Sequence, residues 1–355
     1  MSFLNSWKKV DELLEGDILA EDIEDGNKIL LKKGEVLDDQ KIELLRRIGI
    51  EWICIEADEF LDFKPEVLKD KGIDVLINEE IIKQVDKKIK EIAKSIVEND
   101  SFDPKAVEEV SETIFDTIFL NYKENVFLNL IKLKNYDEYT FTHLFNVNIL
   151  STLISLEIKL EKESIKKISL SSLLHDIGKL KIPLNILNAP RALTKQKFDL
   201  IKSHPVMGRE IAVRSGVSDA DILSGITYHH ERINGTGYPE GLKGDDISLF
   251  ARIIAVADVY DALTSERSYK KAWNPYKAMS TLLQSVNAYD DKVLNTLIRI
   301  FGIYPPGTKL LLSNGKKCFV IGTKKGKIFR PVVLCDDEEI IDLSDRKDLK
   351  VVKVG

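Results

Sequence analysis

Apolar residues change their period along the chain, and each change marks a predicted element. GDILAEDI and KILLKKGEVL alternate apolar and polar side chains on either side of Asp25-Gly26-Asn27, the pattern of short strands joined by a turn. In DDQKIELLRRIGI, Ile42, Leu44, Leu45 and Ile48 fall at helical spacing up to Gly49, and EWICIEA returns to strand. Residues 1–62 are thus expected to form a small α/β module, a packing or dimerisation unit without a ligand of its own. Beyond it, Ile81, Ile82, Val85, Ile89, Ile92, Ile96 and Val97 recur at steps of three and four among Lys and Glu. That spacing predicts an amphipathic helix with a solvated face, a connector or dimer helix within residues 63–104. Pro104 permits a break, and VEEVSETIFDTIFLNYKENVFLNLIKL carries an apolar stripe long enough for two core helices.

Helices are expected to follow one another from there, over a domain of residues 105–302. One runs from Phe141 to Leu156 with His143 in its first turn, and Ser164 is expected to N-cap the next, which ends at Leu174 before Gly178. Pro205 suits the first position of a helix mouth at His204. Ser248 opens another, whose Ala251, Ala255 and Ala257 permit the close packing that brings Asp258 to the bundle centre, and Asn274-Pro275 opens a last one toward Val286. After Gly302 the period returns to two: Tyr304-Pro305-Pro306-Gly307 ends the helices, and apolar runs separated by Asn314-Gly315 and Lys325-Gly326 predict a β-meander over residues 303–355. The fold class expected is mainly α, a helical bundle with a small α/β module before it and a small β unit after it.

Composition narrows the function. The chain has 355 residues, enough for two or three domains, and its 44% hydrophobic and 31% charged residues suit a core-forming globular protein. A net charge of −6 argues against a nucleic acid polymer or an anionic membrane surface as partner, so an anionic substrate must be met by metals and a few local cations. No window approaches the length of an apolar span, so no membrane insertion is expected. Cys54, Cys318 and Cys335 are odd in number and show no CxxC spacing, which argues against a disulfide framework and for a cytoplasmic location.

The histidines change the picture most. All five of them, His143, His175, His204, His229 and His230, fall in one third of the chain, beside Asp176 and Asp258. Imidazole and carboxylate without thiolate is a donor set for hard to borderline divalent ions. An Asp directly after a His can bridge two ions through its two oxygens, and ions ~3.5–4 Å apart clamp both the attacking and the leaving oxygen of a phosphodiester. Neighbours on a helix lie ~100° apart, so His229 and His230 can share a site only near a helix end, which Asn234, Gly235 and Gly237 would supply. Gly235 and Gly237 also permit a tight turn, and Pro239 stiffens the presentation of Tyr238.

LLHDIGKLKIP, KSHPVMG, YHHERINGTGYP and ADVYDALTSERSYKK together resemble the HD-GYP family, a branch of the HD phosphohydrolases that hydrolyses cyclic di-GMP, from about Asp137 to Gly302. The resemblance implies a metal-dependent phosphodiesterase that linearises cyclic di-GMP to pGpG, with GMP as a further product, by a metal-bridging hydroxide. It places the metal ligands on His143, His175, Asp176, His204, His229, His230 and Asp258, with Asp176 bridging: His143, His175 and Asp258 serve one ion and His204, His229 and His230 the other. The cofactors implied are two divalent ions, iron or manganese. Arg267 and Lys270 match substrate-binding positions; Lys179, four after His175, is the first candidate to offset phosphodiester charge, a catalytic and substrate-binding role, and Tyr238 is a candidate to stack on guanine or donate to phosphate. Tyr139 stands where some members carry a Glu that recruits a third metal, so a dinuclear site is expected. The alternatives are a cyclic di-GMP receptor with little turnover and a hydrolase of another nucleotide, and a homodimer is compatible with the amphipathic helix.

Overall fold

The computed structural model describes residues 5–13, 17–25, 28–56, 77, 79–121, 139–187, 194–265, 272–285 and 287–355. The chain divides into two compact units, Met1–Asp62 and Phe63–Gly355. It is mainly helical, with small sheets toward each end.

In the first unit, strand β1 (Asn5–Lys9) pairs antiparallel with β4 (Trp52–Glu56), and β2 (Ile23–Asp25) with β3 (Lys28–Leu31). Helix α1 (Asp39–Arg47) starts where the Asp38 carboxylate accepts from the Lys41 amide at 2.9 Å. Its Ile42 and Leu45 bury against Val10, Leu19, Leu37, Ile53 and Ile55, so the helical and alternating periods meet in one small core.

In the second unit, α2 (Glu79–Asn99) sinks Ile82, Val85 and Ile89 into a core shared with Val110, Ile114 and Ile118 of α3 (Pro104–Asn121). The stripe expected of a connector or dimer helix fills the bundle's own interior. Helix α4 (Tyr139–Ile158) is buried nearly all round, with Asn146, Asn148, Ser151 and Ser155 buried beside its apolar residues; each buried Ile or Leu contributes ~1.5–3 kcal/mol. Its helix begins at Tyr139, two residues before the expected start, so His143 stands beyond the first turn.

Helix α5 (Lys162–Leu174) lies against α4 through small polar residues: Asn148 Nδ2 donates to the Ser169 carbonyl at 2.6 Å. Its N-cap is Glu161 rather than the expected Ser164, because the chain leaves α4 through Lys159 at positive φ and is already extended at Glu161. After a 3₁₀ turn (Ile177–Lys181) come α6 (Leu184–Leu187), α7 (Lys195–Lys202), α8 (His204–Arg214), α9 (Ala220–Tyr228), α10 (Leu249–Thr264), α11 (Pro275–Gln284) and α12 (Asp291–Phe301). Ser248 and Asn274 cap α10 and α11 as the sequence predicts, accepting from Ala251 and Tyr276.

Strands β5 (Lys309–Leu312), β6 (Lys317–Gly322), β7 (Val332–Cys335), β8 (Ile340–Asp342) and β9 (Val351–Val354) form one antiparallel sheet in the order β8-β7-β6-β5-β9. The first four make the expected meander, and β9 returns to the far side of β5. The Ile303 amide donates to the Ile328 carbonyl at 2.9 Å and Thr323 Oγ1 to the Phe301 carbonyl at 3.1 Å, which ties the sheet to the end of α12. The expectation of three unpaired cysteines is corrected here. Cys318 on β6 sits directly opposite Cys335 on β7, with 3.9 Å between Cα atoms, and the two form a disulfide, while Cys54 is free and buried. Sequence spacing carries no trace of that pairing because strand register creates it.

Candidate metal centre

The centre is assembled largely from helix ends. Helix α5 stops at Leu174 with His175 as its C-cap, and Asp176 turns the chain into the 3₁₀ segment. Gly178 lets this segment lie directly on α8, since a β-carbon there would stand 1.9 Å from the His204 carbonyl oxygen. His204 is the first residue of α8, and His229 is the C-cap of α9, so that His230 leaves the helix beside it. His143 comes from α4 and Asp258 from α10, both buried. The seven residues expected from the sequence are brought together in two sets, Asp176 with His204, His229 and His230, and His143 with His175 and Asp258. Within each set the donor atoms lie within 4.8 Å of one another.

Asp176 joins the sets. Its Oδ2 lies 3.4 Å from His143 Nε2 and 3.4 Å from His175 Nε2, and its Oδ1 lies 3.1 Å from His204 Nε2 and 3.9 Å from His229 Nε2. Asp258 spans a second gap, with Oδ1 3.2 Å from His143 Nε2 and Oδ2 3.8 Å from His230 Nδ1.

The opposite ring nitrogens are anchored. His175 Nδ1 bonds the Ser172 carbonyl at 2.7 Å, His204 Nδ1 that of Ile201 at 2.7 Å, and His229 Nδ1 that of Ile226 at 2.8 Å. A carbonyl only accepts, so each Nδ1 carries the proton and each Nε2 presents a lone pair. His143 Nδ1 is held in the same way by Asp261 Oδ2 at 2.8 Å. Lone pairs then face one another: His204 Nε2 and His229 Nε2 are 3.3 Å apart, and the buried His175 Nε2 and Asp176 Oδ1 have no hydrogen-bond partner among the described residues. Converging acceptors with no donor between them fit cations.

Electrostatics keep the groups in ligand form. Burial lowers His229 well below the usual imidazole range, helped by the neighbouring His230, His175 and His204, and burial lowers His230 to about 3. Burial pushes Asp176 upward, but Lys179 and His175 outweigh it and hold its carboxyl well below the usual range. Asp258 behaves alike: burial pushes it upward, but the neighbouring His143 and His230 outweigh burial and leave its carboxyl well below the usual range. Neutral imidazoles and charged carboxylates are the states that bind metal.

Lys179 Nζ donates to Asp176 Oδ2 at 2.6 Å, so this half-buried cation stands at the cluster itself. The Tyr238 ring stacks on His230 with 4.6 Å between centroids. Burial first, then the Asp258 and Asp176 carboxylates, raise the Tyr238 hydroxyl far above its ordinary range, so it stays a donor. Arg267 and Lys270 lie outside the described residues, as does the side chain of Tyr139.

Two supporting carboxylates escaped the sequence reading. Asp261 accepts from His143, from Asn146 Nδ2 at 2.7 Å and from Ser265 Oγ at 2.8 Å; its signal is the spacing of three from Asp258, which puts both on one face of α10. Glu231 is buried beside the paired histidines and accepts from the amides of Glu240, Gly241 and Leu242 at 2.7, 3.0 and 3.1 Å, which fixes the segment bearing Tyr238. Gly237 crosses so close that a β-carbon would meet Glu231 Cα at 2.4 Å.

Residues 125–293 match the HD domain family. The chain is similar to the cyclic di-GMP phosphodiesterase PA4108 of Pseudomonas aeruginosa, 38% identical over 209 residues, which cover 59% of this chain and 50% of that one. It is also similar to the cyclic di-GMP phosphodiesterase response regulator RpfG of Xanthomonas campestris, 40% identical over 151 residues, 41% of this chain and 39% of that one. The chain thus spans half or less of the length of these curated relatives. Among solved structures, Bd1817, an HDG"Y"P protein from Bdellovibrio bacteriovorus, shares the fold with a TM-score of 0.51 at 19% identity, over 82% of this chain and 98% of that one.

Proposed function

From the match of residues 125–293 to the HD domain family and the HD-GYP set of motifs, we propose that the chain hydrolyses cyclic di-GMP to pGpG, with GMP as a further product. The observation that carries the reading is Asp176, whose two oxygens face separate groups of imidazole lone pairs. The reading gives the centre two divalent ions, iron or manganese in keeping with imidazole and carboxylate donors and no thiolate. His143, His175 and Asp258 would hold one, His204, His229 and His230 the other, and Asp176 both. When bound, the ions supply an activated water at neutral pH and Lewis-acid polarisation of the phosphodiester.

The chain's own side chains complete the chemistry. Lys179, already at Asp176, offsets phosphodiester charge without occupying a ligand position. Tyr238 donates from a hydroxyl that remains protonated across the working pH range. Arg267 and Lys270, matched to substrate-binding positions by the motif, complete the cationic set. Names of the relatives supply the substrate class, and the intact donor set supports turnover over mere binding.

The test is anaerobic purification with metal analysis, followed by nucleotide chromatography after incubation with cyclic di-GMP. Wild type should yield pGpG, and Asp176→Ala should lose both hydrolysis and metal. Metal-loaded wild type that binds cyclic di-GMP and leaves it intact would make the protein a receptor.

A further inference from the structure

One aromatic side chain and one lysine on the rim of the centre have no role in the reading above. Phe198 and Lys202 stand one turn apart on α7, whose end leads through Ser203 to His204. Lys202 Nζ lies 4.9 Å from the centroid of Phe198 and 5.3 Å from that of Tyr238. Tyr238 in turn stacks on His230, so a continuous line of contacts runs from Phe198 to the metal cluster. Lys202 has no carboxylate partner among the described residues, and Phe198 is 48% exposed, so its ring is accessible to a ligand.

Resting on the phosphodiesterase reading, we propose that Phe198 and Lys202 form the guanine-binding rim of the centre. Tyr238 already has the His230 imidazole against its ring and the Lys202 ammonium over it, so little of its π-face is left for a base. Phe198 has Lys202 against its ring but no second aromatic stacked on it among the described residues, and its exposed surface offers a purine a stacking partner, since base stacking on an aromatic side chain is favourable whichever base it is. Lys202 supplies what stacking lacks, selectivity. An ammonium only donates, so it suits the O6 and N7 acceptors of guanine and is repelled by the N6 amino group of adenine. Phe198 therefore sets affinity for a purine, and Lys202 sets which purine is preferred.

The experiment compares manganese-loaded wild type, Phe198→Ala, Phe198→Trp and Lys202→Met on cyclic di-GMP, cyclic di-AMP and the base-free diester bis(p-nitrophenyl) phosphate. Phe198→Ala should raise KM for cyclic di-GMP about tenfold with kcat little changed, and Phe198→Trp should restore it. Lys202→Met should narrow the preference for cyclic di-GMP over cyclic di-AMP about tenfold. Neither change should alter metal content or turnover of the base-free diester. An unchanged KM in Phe198→Ala, or an equal loss on all three substrates, overturns the rim while leaving the phosphodiesterase reading intact. Wild type that cleaves the base-free diester but neither cyclic dinucleotide overturns the substrate reading and the rim with it.

Discussion

Asp261 touches no donor atom of the metal cluster except through His143, yet three side chains converge on its carboxylate. Removing it frees the His143 ring to rotate and lets its Nδ1 proton move, while every ligand stays in place. Asp261→Ala should therefore weaken metal binding about 10–100-fold, as read by metal titration of the purified variant. Lys179→Ala acts differently. It should keep the metals and raise the barrier by ~2.7–4 kcal/mol, seen as a fall in kcat/KM; wild-type kinetics would return Lys179 to a surface role. At this scale the sequence was informative where chemistry is written in residue type. Five histidines in one third of the chain pointed to a site, because few other roles collect them so, and the HD-GYP resemblance named the seven residues that the fold brings into two clusters. It was silent on Asp261 and Glu231, since an isolated Asp or Glu looks the same whether it meets solvent, His143 or three loop amides.

Helix termini do the positioning, so their caps bear on the site. Asp219 opens α9, which ends in His229, and its Oδ1 accepts from the amides of Asp221 at 3.0 Å and Ile222 at 3.1 Å while Lys167 pairs with Oδ2 at 2.7 Å. Burial pushes this carboxyl upward, but Lys167 and the two amides outweigh burial and leave it below the usual range. A carboxyl depressed in the folded state stabilises above its unfolded pKa of ~3.9, and that contribution is lost as pH falls through the lower folded value. Asp219→Ala should cost about 1 kcal/mol at neutral pH, and the gap from wild type should close in acid, which denaturant melts at pH 7 and pH 3 would compare. A gap of equal size at both would mean that the cap does not act through its charge. Periodicity located most of these elements. It missed what depends on neighbours: Ser164 lost its cap role to the exit path through Lys159, α2 found its partner in α3, and strand register made the Cys318–Cys335 bond.

For the molecule as a whole, the first quantity to measure is metal per chain. On the proposed ligand assignment, seven side chains with Asp176 shared would give four protein contacts to each of two ions, and a tyrosine at position 139 brings no carboxylate for a third. Elemental analysis should approach two metals per chain and stay there in Tyr139→Phe; three tightly held ions, or loss of one in the variant, would overturn that count. The origin of the donors has a further consequence. They come from α4, the ends of α5 and α9, the start of α8 and the middle of α10, segments far apart along the chain. Ions held by all of them, as proposed, would act as multi-way cross-links that close several long loops at once, and closing a longer loop costs only slightly more entropy than a short one. Metal load should thus set how cooperatively the bundle unfolds. Loaded protein should melt in one sharp transition, stabilised by about 4 kcal/mol when free metal exceeds its Kd a thousandfold, whereas chelated protein should melt earlier and over a broader range as its helix ends part company. Calorimetric scans with and without chelator would show it, and superimposable traces would mean that the ions bind a bundle already locked without them.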